Sequence, residues 1–154
     1  MRARLSHIAL AATIGVVTMA QSAFAEMVEK TSPHSVDVTI DRLAAAVEGA
    51  GATVFARVDH AAGAAKVDME LRPTQLLIFG NPKLGTPAML DGQTAGLDLP
   101  LRVLAYADAE GVVHVAYHDP ATLAQTHGLP ADAKYIAMMT GALDKLTSKA
   151  VAEE

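Results

Sequence analysis

Cysteine and tryptophan are both missing from the 154 residues. Without cysteine there is no disulfide, no thiol nucleophile, no thiolate metal centre and no iron–sulfur cluster. Any core must hold by packing alone. Beyond the first 25 residues the only phenylalanines are Phe55 and Phe79, too few for a base-stacking platform. Serine is sparse. Ser6, Ser22, Ser32, Ser35 and Ser148 lie towards the two ends, and none sits in a strand–turn–helix elbow. There is no phosphate-cradling glycine loop of the usual spacing and no internal repeat. Positive charge is also short, with 12 Lys and Arg against 17 Asp and Glu.

What is present begins with a leader. Met1-Arg2-Ala3-Arg4 is basic, Ile8 to Met19 is mostly apolar, and Ala23-Phe24-Ala25 has the small-x-small spacing of a cleavage site. This pattern predicts a secretory signal peptide over 1–25, cut after Ala25, and a periplasmic mature protein. The apolar run is too short for a comfortable membrane span, so no membrane contact is expected after cleavage. The remaining residues, 26–154, are read as one domain, long enough to bury a core. Losing Arg2 and Arg4 leaves 10 basic and 17 acidic residues, a net charge of −7, which disfavours nucleic acid as a partner.

The periodicities predict an α+β fold. A short edge strand falls within Glu26–Pro33. Ser35 then caps a helix with Val36, Ile40, Leu43, Ala44 and Val47 on one face. Gly49 or Gly51 ends it. Thr53 to Val58 alternates, with Val54, Ala56 and Val58 on one side and Thr53, Phe55, Arg57 and Asp59 on the other. An alanine-rich connector, His60 to Val67, leads towards a buried strand at Leu76–Phe79. Leu101–Ala107 and Val112–Tyr117 form a hairpin across Asp108-Ala109-Glu110-Gly111. A helical turn runs from Asp119-Pro120 to His127. The last helix covers 132–148, with Ile136, Met139, Leu143 and Leu146 as its apolar stripe.

The stretch Leu76 to Pro87 is the one segment that suggests a site. A strand runs into Gly80-Asn81-Pro82, and Thr86-Pro87 reads as an N-cap followed by a first-turn proline. Free N–H groups at a helix start, with Lys83 nearby, can hold an anion.

Several segments together resemble a known family. They are Thr53 to Ala64, Glu70-Leu71-Arg72-Pro73-Thr74, Leu77 to Lys83, Gly85-Thr86-Pro87, Ala95 to Leu101 and Tyr117-His118-Asp119-Pro120. In order and wording they resemble the bacterial domain of unknown function 302 family across about residues 33–129. His118 departs from the asparagine that the family often has before Asp-Pro. The resemblance implies the order β-α-β-β-β-β-α, an antiparallel sheet of about five strands, short helical insertions and a long C-terminal helix packed on the sheet. It also implies a possible homodimer, and it implies no established activity.

The side chains supply three readings. Arg57, Arg72, Asn81, Lys83 and Thr86 are grouped as an anion site, with His60 as a further ligand-binding candidate. This makes the leading expectation a non-catalytic module for a small ligand, anionic or amphipathic. A second reading is a dimeric interaction or stress-related protein. A third is an enzyme using His60 oriented by Asp59. No catalytic residue and no cofactor is assigned. His114 and His118 lie four apart on a strand, roughly 13 Å from each other at about 3.3 Å per residue, so they cannot share one metal ion.

Overall fold

The computed structural model describes residues 26–153. The signal-peptide reading falls on 1–25, outside the described residues. The elements are β1 (Met27–Ser32), α1 (Val36–Gly49), β2 (Thr53–Asp59), α2 (His60–Ala65), β3 (Thr74–Gly80) and α3 (Pro82–Asp91). After a 3-10 turn at Gln93–Leu97 come β4 (Leu101–Ala107), β5 (Val113–His118), α4 (Ala121–His127) and α5 (Lys134–Val151). The five strands form one antiparallel sheet in the order β1-β5-β4-β3-β2. The α+β expectation and its element order therefore hold.

Local chemistry explains most boundaries. The Ser35 hydroxyl accepts the Val38 N–H at 3.3 Å and starts α1. Val36, Thr39, Ile40, Leu43 and Val47 form its buried stripe. Gly51, at φ +74°, supplies the left-handed residue that turns the chain towards β2. Arg42 on α1 donates to the carbonyls of Ala150 (3.0 Å) and Ala152 (2.9 Å). A cation there satisfies orphan carbonyls at the end of α5, which runs three residues further than the stripe predicts.

Helices α1 and α5 cover one face of the sheet. Ile40, Leu43, Leu77, Phe79, Val103, Val115, Leu143 and Leu146 meet in the main core. A second cluster, including Ala88, Leu123, Leu129, Ile136 and Met139, packs α3 and α4 against the first half of α5. Gly92 lies close beside it, where a Cβ would stand 2.6 Å from Leu129 Cδ2 and 2.8 Å from the His127 carbonyl oxygen. The opposite sheet face carries Val58, Leu76, Ile78, Leu104, Tyr106 and His114, as the strand registers dictate.

Two expectations are corrected. β2 does not alternate throughout: the register steps from Val54↔Phe79 to Ala56↔Ile78, so Phe55 is the extra residue of a β-bulge. Val54 and Arg57 therefore share the helix-covered face, and Ala56 and Val58 take the other. The second correction is the start of α3, which begins at Pro82 under an Asn81 cap. Thr86 is not a cap, and Pro87 lies inside the helix rather than at its first position.

Candidate functional site

The bulged residue Phe55 lines a cavity. The bulge pushes Phe55 out of the ladder at the point where β3 ends, and the residue is 55% exposed. Gly80 permits a close approach there: a Cβ on it would lie 3.3 Å from Pro100 Cβ and 3.5 Å from Phe55 Cε2. Beside this contact is a cavity of about 290 Å³. Its apolar walls are Phe55, Leu84, Met89, Leu99 and Leu101, and the buried Met139 side chain also lines it. Asn81 and Thr86 are among its few polar residues.

The turn that begins α3 is already satisfied. Asn81 Oδ1 accepts the Lys83 N–H at 2.9 Å. The Asn81 carbonyl accepts from Leu84 at 2.9 Å and from Gly85 at 3.0 Å, and Pro82 has no N–H to offer. The first donors of the helix are therefore spent within the turn rather than left for an anion.

Of the residues grouped from the sequence, Asn81 and Thr86 come together at this cavity. Lys83 is exposed between two lining residues and has no ion-pair partner among the described residues. Arg57 is placed elsewhere. Its Nε donates to Gln75 Oε1 at 2.7 Å, and its guanidinium pairs with Asp41 and, at 3.4 Å, with Asp37. Gln75 is buried and donates to Asp37 at 2.6 Å, so this network ties β2 and β3 to α1. Arg72 donates to the Ala107 carbonyl at 3.0 Å. Asp59 caps α2 by accepting the Ala62 N–H at 2.8 Å, while His60 is an exposed first residue of that helix. Asp59 is thus occupied as a cap, which is a structural use of the pair.

Sequence reasoning missed a cluster on the open sheet face. His114 Nε2 lies 2.8 Å from Asp108 Oδ2, and its Nδ1 lies 3.1 Å from Glu29 Oε1. Tyr106 stacks on the imidazole at 5.1 Å and donates its hydroxyl to Glu29 at 2.8 Å. The hydrogen bond to Asp108 is the main cause that raises the His114 pKa, against an opposing cost of burial, and the same bond lowers that of Asp108. The hydrogen bond to Glu29 is the main cause that raises the Tyr106 phenol. Register decides this cluster: Thr31↔His114 and Tyr106↔His114 bring three strands to one point.

Residues 28–146 match the family described as Domain of unknown function DUF302. The chain belongs to this family. A solved DUF302 structure, described as an uncharacterized conserved protein from Bacillus stearothermophilus, superposes with a TM-score of 0.73. It is 17% identical and covers 80% of this chain and 97% of its own, a likeness of fold alone. This DUF302 chain is also similar to proteins named Fluoride-specific ion channel FluC 1. The one from Brucella suis is 50% identical over 117 residues, spanning 75% of this chain and 46% of the relative. The one from Brucella abortus is 50% identical over the same length and is covered for 43%. The chain thus spans less than half the length of these curated relatives.

Proposed function

We propose that this DUF302 domain is a non-catalytic module that binds a small, predominantly apolar molecule in the cavity beside Gly80. The observation that carries this is the lining: an open cavity walled by Phe55, Leu84, Met89, Leu99, Leu101 and Met139, with Asn81 and Thr86 at hand to orient a ligand. The size suits a single small ligand, at the lower end of the usual range of about 300–1,000 Å³. Two methionines in the wall favour a site that adapts its shape to an unbranched or aromatic body. The anionic ligand suggested by the sequence gains no support from the α3 start, whose donors are spent. A charged end on the ligand would have to look to Lys83 outside the wall.

Octanol is a suitable probe, read by calorimetric titration. Gly85→Leu is the decisive variant. A Cβ at Gly85 meets Leu99 and Met89 side chains only at 4.0 Å, so the new side chain enters the cavity without a backbone clash. Leucine also favours the helix over glycine by about 1 kcal/mol. The expected outcome is loss of octanol binding with unchanged or higher thermal stability. Octanol binding that survives Gly85→Leu, or no binding to the unaltered protein, ends this reading.

One comparison favours a second reading. The Brucella relatives join a segment similar to this chain to a further length of chain, under the name of a fluoride-specific ion channel. On that reading this protein works beside a membrane channel of that kind. Affinity capture of a co-expressed channel in mild detergent should then retrieve both chains, and separate elution would end the idea.

A further inference from the structure

The sheet is not continuous at one end. β4 and β5 pair from Leu104↔Ala116 to Ala107↔Val113 and no further towards the start of β4. Beyond that register Leu101–Val103 stay with β3, while Tyr117–His118 stay with β1. A second cavity of about 240 Å³ opens beside the parted strands. Leu101, Pro120, Leu123 and Leu143 supply its apolar lining, and its remaining walls are polar.

One wall holds an anchored cation. Arg102 Nη2 donates to Asp98 Oδ1 at 2.9 Å. The other oxygen of Asp98 lies 2.7 Å from His127 Nε2, and the His127 ring is itself held by Thr94 at 3.1 Å. The His127 side chain is only 4% exposed, so Asp98 and through it Arg102 are fixed. The facing residues are His118 and Asp119, an anchored carboxylate. Asp119 Oδ1 accepts the Ala121 N–H at 2.9 Å and lies 3.3 Å from the Thr140 hydroxyl. Its Oδ2, the His118 ring and the other guanidinium N–H groups of Arg102 have no partner among the described residues.

We propose that this cleft binds a small zwitterion carrying one carboxylate and one ammonium group, an amino-acid-sized molecule. Charge balance selects this class. A simple anion on Arg102 would sit near the carboxylates of Asp98 and Asp119, and a simple cation on Asp119 would sit near Arg102. A zwitterion sets its carboxylate on the guanidinium fork and its ammonium on Asp119 Oδ2, pairing both. The apolar floor accommodates a short side chain. This site is separate from the apolar cavity, from which Leu101 divides it.

The test is an amide-resolved NMR titration of the protein with alanine and serine, with propionate and ethylamine as single-charge controls. Saturable shifts are expected for the amino acids at Arg102, His118 and Asp119–Thr126, with Phe55 and Gly80 unmoved. Arg102→Gln, at an exposed position, should weaken binding by about tenfold or more. Asp119→Asn keeps a side chain able to cap α4 while removing the charge, and should weaken it likewise. No saturable shift at millimolar amino acid overturns the proposal. So does propionate binding as tightly as alanine, or a response confined to the apolar cavity. None of these results bears on octanol binding, so the two sites stand or fall separately.

Discussion

At the scale of single residues, the clearest feature is His114 between two carboxylates. Its imidazole is held above its ordinary value of 6.5, first by the hydrogen bond to Asp108. A group raised on folding contributes stability that is fully present below its unfolded pKa and is lost as pH rises through the folded one. Asp108 acts in the opposite sense. Its lowered carboxyl contributes above the ordinary carboxylate range and loses that contribution as pH falls through its folded value. The pair therefore works best between the two titrations. His114→Gln should be destabilised against the unaltered protein at pH 6 and should approach it at pH 9. Urea midpoints at the two pH values check this, and a gap that widens on going alkaline would contradict it. Phe55 is the other instructive residue. Its type predicts burial, yet a one-residue bulge puts the ring out at the mouth of a cavity.

Among the elements, α3 separates the two ways of reading one stretch. Thr86-Pro87 and Asn81-Pro82 are both polar residues followed by proline, so both fit a helix start. The chain uses the first because Gly80 ends β3 against Pro100, and the helix must begin at once to reach its packing partners in the second core cluster. Pro87, the sixth residue of α3, lies past the free N–H groups of the helix start and forgoes the donor that would meet the Lys83 carbonyl, a cost of starting the helix at Pro82. Asn81→Ala should therefore cost about 1 kcal/mol of unfolding free energy, as loss of a cap does. Thr86→Ala should leave stability nearly unchanged. Denaturant unfolding of the two variants distinguishes them, and the reverse order would restore Thr86 as the cap. The β4–β5 hairpin, the Ser35 cap and the stripes of α1 and α5 were legible because each rests on neighbours within a few residues.

For the molecule as a whole, α5 joins everything. Met139 belongs to the cluster with α3 and α4, and Leu143, one turn on, belongs to the core under the sheet. With no disulfide available, these two clusters depend on each other through one helix. Leu77→Ala in the main core and Ile136→Ala in the second should each cost about 2–5 kcal/mol. Each should shift one common unfolding transition, with far-ultraviolet dichroism and tyrosine fluorescence moving together. Two separated transitions in either variant would show that the clusters fold independently.

The sequence by itself determined the element order, the antiparallel hairpin and the apolar faces. Those properties follow from periodicity, capping and turn chemistry, which act over a few residues. Only the tertiary structure decided which polar groups meet. Arg57, one of the grouped anion-site candidates, ties β2 to α1 through Gln75, Asp37 and Asp41. Arg72 bonds a backbone carbonyl, and Asp59 caps α2. His114 gained Asp108 from the turn before its own strand and Glu29 from β1, far away in the chain, and Asp98, Arg102, His118 and Asp119 gather where β4 and β5 part. The physical reason is register. A single bulged residue exchanges the faces of a strand, and no local pattern records which strand will lie beside which.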